Sequence, residues 1–135
     1  MSIRGLDHVA ITVRDVEATL AFYRDVLDAS PVFEDLWRAG RIPVLLLQLG
    51  GARLSVHEAA APAAPHARLP TPGSADLCFR WDGPIEAAVE RLRRAGVAIV
   101  EGPVPRPAAD GAPGRSVYFR DPDGNLLELL GTDLG

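Results

Sequence analysis

An α+β domain built from two consecutive βαβββ modules is the fold this sequence predicts, and three observations predict it. Each half of the 135-residue chain reads strand, helix, strand, strand, strand. Residues 59–74, an alanine- and proline-rich stretch, separate a first module at 1–58 from a second at 75–135, the whole forming one domain. In both halves the strands alternate apolar with small or polar residues and the helices carry one apolar stripe, so each helix must cover the aliphatic face of its own half-sheet.

The elements follow in order. Leu6–Val13 is a strand in which Val9, Ile11 and Val13 share one face and His8, Ala10 and Thr12 the other. Asp15 caps a helix over Val16–Leu27, with Val16, Leu20, Tyr23 and Leu27 on its stripe and Pro31 preventing its continuation. Strands are predicted at Pro31–Trp37, Pro43–Leu49 and Ala52–His57, with turns at Ala39-Gly40 and Gly50-Gly51. In the last of these, Arg53, Ser55 and His57 oppose Leu54 and Val56. The second module opens with a strand at Asp76–Trp81, followed by a helix from Pro84 to Ala95 that Gly96 stops. Short strands at Ala98–Glu101, Arg115–Arg120 and Leu126–Leu130 complete it, interrupted by a loop at Gly102–Gly114. Asp121-Pro122-Asp123-Gly124-Asn125 has the turn chemistry to join the last two strands as a hairpin.

One residue breaks the pattern of that hairpin. Glu128 stands within Leu-Leu-Glu-Leu-Leu, where a lone carboxylate is costly to desolvate without a cation or donor beside it. Strand parity puts it on the face away from the helix, and the same rule sends His8, His57 and Asp76 to the corresponding faces of their strands. Two imidazoles with one or two carboxylates form a set that binds a divalent first-row metal. Other readings stand beside this one: His8 as a satisfied core histidine, Asp76 as a cap, His57 as a strand-end residue facing solvent, and Glu128 in a buried ion pair with Arg53, Arg80 or Arg120. His66, in the linker, is assigned no role.

Composition narrows the chemistry. A net charge of -4 gives no electrostatic footprint for nucleic acid or an anionic membrane, and neither partner is expected. All 14 basic residues are arginine, which excludes a Schiff-base lysine and a Walker A loop. The single cysteine, Cys78, excludes an internal disulfide and any CxxC motif. The chain shows no apolar stretch of about 18 residues and no leader, so a cytoplasmic location is expected.

Asp7-His8-Val9-Ala10-Ile11-Thr12-Val13-Arg14-Asp15, a helix containing Phe22-Tyr23, and Tyr118-Phe119-Arg120-Asp121-Pro122-Asp123-Gly124-Asn125-Leu126-Leu127-Glu128 resemble the opening and closing signatures of the vicinal-oxygen-chelate superfamily, the group of glyoxalase I, extradiol dioxygenases, methylmalonyl-CoA epimerase and the bleomycin- and fosfomycin-resistance proteins. Leu54-Ser55-Val56-His57-Glu58 and Pro72-Gly73-Ser74-Ala75-Asp76-Leu77-Cys78-Phe79 are similar to its glyoxalase-domain-containing, virulence-associated, lactoylglutathione-lyase-like branch. The resemblance implies an eight-stranded cup around a divalent metal, with ligands on the first and last strands of each module. It implies His8, His57 and Glu128 as ligands, with Asp76 as a fourth ligand or a hydrogen-bond acceptor behind them. Glyoxalase I carries a carboxylate where His57 stands, or two residues earlier where Ser55 stands, and a histidine where Asp76 stands.

The expected activity is that of a metal-dependent glyoxalase-like lyase or isomerase acting on a small substrate with vicinal oxygens. The ion (Ni, Co, Zn, Mn or Fe) would stabilise an oxyanion or enediolate. Glu128 and Asp76 are the candidate catalytic residues; Arg53, Arg80, Tyr118 and Arg120 are candidates for substrate binding. Two alternatives are a metal-free or metal-assisted binding protein of the antibiotic-resistance type and an Fe(II) extradiol dioxygenase. A homodimer is expected, with the cup built within one chain or with His8 and His57 of one subunit facing Asp76 and Glu128 of the other.

Overall fold

A computed structural model describes residues 1–135, which divide into two compact units, Met1–Gly73 and Ser74–Gly135. Each contains one four-stranded sheet, in keeping with the predicted α+β class.

In the first unit β1 (Val9–Val13) runs parallel to β4 (Ala52–Glu58), which pairs antiparallel with β3 (Leu45–Leu49), and β3 with β2 (Ser30–Val32), giving the order β1-β4-β3-β2. Helix α1 (Val16–Leu27) starts where Asp15 predicts: its carboxylate accepts a hydrogen bond from the Ala18 amide at 3.1 Å, satisfying one of the orphan donors of the first turn. Leu20, Tyr23 and Val26 of α1 are buried, as are Ile11, Val13, Leu45, Leu47, Leu54 and Val56 of the strands. The apolar face read from period 2 is therefore the core face.

The strand expected at Pro31–Trp37 is a correction. Only Ser30–Val32 is extended; Phe33 turns into the left-handed region (φ 56°) and Glu34–Arg38 forms a short helix, α2. Arg38 explains the helix. Its guanidinium reaches Glu34 one turn back at 2.7 Å and Glu17 of α1 at 2.6 Å, and it lies over the Trp37 ring at 4.9 Å. These bonds, the one to Glu17 above all, raise its pKa further. Local alternation loses to an i,i+4 ion pair extended by a tertiary one.

In the second unit the order is β5-β8-β7-β6, formed by β5 (Asp76–Pro84), β8 (Leu126–Asp133), β7 (Pro113–Arg120) and β6 (Glu101–Pro107). Strands β5 and β8 are parallel and the other pairs antiparallel. Helix α3 (Ile85–Arg94) buries Ile85, Ala88, Val89 and Leu92, and the strands contribute Val117, Phe119, Leu127 and Leu129 to the core.

The second correction lies at β6, expected at Ala98–Glu101 with a loop over Gly102–Gly114. The strand instead runs through Gly-Pro-Val-Pro-Arg-Pro. Proline lacks the amide that a central strand needs, but β6 is an edge strand paired only with β7, and prolines at alternate positions 103, 105 and 107 leave its paired side intact. Gly102 makes the approach feasible: a Cβ there would collide with the Ser116 carbonyl oxygen.

The hairpin turn behaves as its chemistry predicts. The Asp121 carboxylate accepts from the amides of Asp123 and Asn125, each at 3.0 Å, and from the Asn125 side-chain amide at 2.7 Å. Asn125, 1% exposed, accepts from the Ala75 amide at 2.9 Å through its side-chain oxygen, and the Leu126 amide donates to the Ala75 carbonyl at 3.0 Å. One buried knot thus closes the β7–β8 turn and sets the register of β5 on β8.

Candidate functional site

Glu128 does not pair with an arginine. It stands between Cys78 of β5 and Tyr118 of β7 in the sheet register, and its Oε2 accepts a 2.5 Å hydrogen bond from the Ser116 hydroxyl. Ser116 is fully buried, and the hydroxyl is the donor that the carboxylate's position required. Arg80 and Arg120 of the same unit bond elsewhere, to the Thr132 hydroxyl and the Gly124 carbonyl, each at 3.0 Å. In the first unit Arg53 donates to the Gln48 side chain at 2.9 Å.

Around Glu128 the neighbours are held protonated. Burial raises the pKa of the Tyr118 phenol, Arg106 opposes the rise, and the charge of Glu128 adds to it. Arg106 Nε donates to the Tyr118 hydroxyl at 2.9 Å, and its guanidinium lies 5.5 Å over the ring. Although Cys78 is exposed as a residue, protein around its sulfur pushes the thiol up to about 11, with Glu128 adding to the shift. Asp76, the exposed first residue of β5, shares the Glu128 face two positions back.

In the first unit His8 lies one residue before β1, with its side chain 51% exposed and Nδ1 2.8 Å from the Asp7 carboxylate. The hydrogen bond to His8, then its charge, holds the Asp7 carboxyl below its usual range. His57 pairs with Thr12, four residues beyond His8 on β1. At about 3.3 Å per residue that is ~13 Å along the strand, while imidazole donors to one ion lie about 4 Å apart. His8 and His57 thus share a face but stand toward opposite ends of β1. Parity assigned the face; only the pairing register assigns the distance.

The register also shows which residue of the first unit corresponds to Glu128. Laying Val9 of β1 on Leu77 of β5 superimposes the pairs Ala10–Ser55 and Cys78–Glu128, because both strand pairs are parallel. His8 is then the counterpart of Asp76, Ser55 of Glu128, and His57 of Leu130. Ser55 is 5% exposed.

His57 has a different setting. Its Nδ1 is buried without a hydrogen-bond partner, and the ring lines a cavity of about 290 Å³ with Ala10, Thr12, Pro65, His66, Ala67 and Pro70. His66, Ser116 and Arg106 are the neighbours that sequence reasoning left without a role. Ser116 was legible by parity, whereas Arg106 fell in an expected loop.

Within neither unit do three or more His, Cys, Asp or Glu side chains gather around one point. The donors nevertheless suit a divalent ion in kind. An imidazole whose Nδ1 is engaged by a carboxylate, as in His8–Asp7, keeps Nε2 for a metal, and a half-buried carboxylate steadied by a hydroxyl, as in Glu128–Ser116, is a preorganised ligand.

Two βαβββ units, each placing its unusual polar residues opposite the helix-covered face, define a protein of the paired-module class. The chain belongs to the Glyoxalase/Bleomycin resistance protein/Dioxygenase superfamily, whose profile its residues 5–129 match. It is 42% identical over 130 residues to Virulence protein STM3117 of Salmonella typhimurium strain LT2, covering 96% of this chain and 85% of that one. The crystal structure of that protein superimposes with a TM-score of 0.86 at 41% identity, covering 97% and 98% of the two chains. Glyoxalase domain-containing protein RDO1 of Mycosarcoma maydis is 38% identical over 129 residues (96% of this chain, 69% of that one). Ethylmalonyl-CoA/methylmalonyl-CoA epimerase of Cereibacter sphaeroides is 29% identical over 131 residues (94% and 97%). The resemblance noted in the sequence is thereby borne out at the level of family and branch. No helix is long and apolar enough to cross a membrane.

Proposed function

We propose that the protein is a metal-dependent lyase or isomerase of the glyoxalase kind, acting on a small substrate with vicinal oxygens, and that Asp76 and Glu128 of the second unit are ligands of the ion. The carrying observation is Glu128 itself: a half-buried carboxylate in an apolar strand, with a buried hydroxyl donor and a protonated phenol beside it. Carboxylate ligands favour Mn(II) or Fe(II) over softer ions. Such an ion, when bound, supplies Lewis-acid stabilisation to oxygens that gain charge.

The chain's own residues do the rest. Ser116 fixes the Glu128 carboxylate, and Arg106 fixes the phenol of Tyr118. A phenol kept protonated donates a hydrogen bond to a substrate oxygen as charge develops there. An epimerase among the relatives supports a proton-transfer reaction. Arg53, Arg80 and Arg120 remain the proposed anchors for an anionic substrate, and a homodimer remains the proposed assembly.

The test is metal loading followed by proton NMR in D2O with small dicarbonyls, hydroxy acids and their thiol adducts. About one equivalent of Mn or Fe, and deuterium uptake at the carbon next to a substrate carbonyl, are the expected results. Less than about a tenth of an equivalent with every ion, and no exchange, would overturn the proposal. A binding protein without turnover is the second reading, favoured by Ser55 standing at the counterpart of Glu128, which leaves the first unit one donor short. Oxygen uptake with catechols separates the dioxygenase alternative from both.

A further inference from the structure

The first unit has a second concavity, on the helix-covered side of its sheet and away from the face that carries Ser55 and His57. It measures about 400 Å³, and Val16 of α1, Trp37 of α2, Pro43 and Val56 of β4 give it apolar walls. Register explains why acidic groups meet there. Glu58 ends β4 opposite Val13, the last residue of β1, and Asp15 follows two residues later as the cap of α1, so Glu58, Asp15 and Glu17 come to one mouth.

The three carboxylates do not converge on a point that would hold a metal ion. They stand apart around an apolar wall, which is the layout for a ligand whose positive charges are separated by carbon. Glu17 is bridged by Arg38 at 2.6 Å, and Asp15 is engaged through one oxygen by the Ala18 amide. Glu58 has no side-chain partner, and Arg14, the one cation of the lining, has an interaction of its own within the chain. Arg38 shows what the place accepts: its guanidinium is held by Glu17 and lies 4.9 Å over the Trp37 ring. Since the sequence contains no lysine, no ammonium of the chain itself can answer Glu58.

We infer that this groove binds an aliphatic diamine, one ammonium on Glu58 and the other on the open oxygen of Asp15, with the methylenes between them lying against Trp37, Val16 and Pro43. An inorganic cation makes no use of the indole and proline walls, and a neutral chain leaves Glu58 unanswered. A volume of about 400 Å³ falls within the range of small-molecule pockets and suits a short chain. The carboxylates are exposed, so each attracts weakly through water and a Kd of about 1 mM is expected. The site lies wholly in the first unit and is separate from the residues proposed to hold the ion.

Proton–nitrogen NMR of the two indole N–H groups tests this in chelator-treated protein at about pH 7, with 1,4-diaminobutane as the probe. Trp81, in the second unit with its Nε1 donating to the Pro84 carbonyl at 3.1 Å, is the internal reference. The diamine is expected to shift Trp37 saturably and leave Trp81 unmoved, with 1,4-butanediol and magnesium chloride each at least about fivefold weaker at Trp37. Glu58→Gln, at the exposed end of β4, is expected to weaken the diamine by at least about fivefold while the Trp81 resonance keeps its position. Absence of a saturable Trp37 shift up to about 20 mM, equal binding of the diol, an equal shift with magnesium, or unchanged binding by Glu58→Gln would each overturn the site. The readout needs no bound ion and no turnover, so failure of the metal proposal leaves this result unaffected.

Discussion

The two units share a plan and differ in what they do with one position. At Glu128 the second unit has a carboxylate on a buried hydroxyl, next to a phenol fixed by Arg106 and a thiol kept protonated. At the matching position the first unit has Ser55, and its imidazoles lie elsewhere: His8 before the strand, in the company of Asp7, and His57 two residues beyond Ser55, over a cavity. Duplication supplies the register, and divergence within that register divides the labour. One sheet concentrates negative charge and hydroxyls, and the other carries imidazoles.

The sharpest way to break this contrast is Glu128→Gln, which keeps the shape and removes the charge. Metal affinity is expected to fall about 100-fold or more, measured by competition with a chromogenic chelator, with little change in thermal stability. His57→Gln, by contrast, is expected to leave metal affinity within about twofold. Next in size is the turn knot, which stabilises only the second unit. Asn125→Ala leaves the Ala75 amide and the Asp121 carboxylate short of partners and should cost about 2 kcal/mol in urea unfolding, with hydrogen exchange speeding first in β5 and β8.

Ser55→Glu restores the missing counterpart and sharpens the comparison from the other side. Metal affinity is expected to rise about tenfold, while the metal-free protein becomes less stable because a buried carboxylate has lost its compensation. The smallest effect expected is at Cys78. At about pH 8 its alkylation by iodoacetamide should be slow, and Glu128→Gln should speed it several-fold by removing one cause of the raised thiol pKa. The folded state keeps that thiol protonated up to about 11, whereas an unfolded thiol ionises near about 8.5. Folding therefore loses stability as pH rises between those two values, and a flat profile there would contradict the assignment.

Elements whose cause is local were legible in the sequence. Asp15 announces α1, and Asp121 to Asn125 announces the last hairpin, because a cap and a turn are decided by the residues that form them. The α2 segment was not, since Arg38 is committed by Glu17 from another helix. Nor was β6, because three prolines deny a strand everywhere except at an edge, and edge position is a property of the finished sheet. The candidate site divides in the same way. Parity correctly put Glu128 opposite the helix-covered face, and the unpaired His57 nitrogen and the Ser55 counterpart emerged only from the pairing of strands distant in sequence.

The prolines of β6 carry one more consequence. A sheet margin without amides offers no template to an incoming strand, so the second unit can be extended by strand addition only along β5. The sheet is thereby closed on one flank against runaway fibre-like growth.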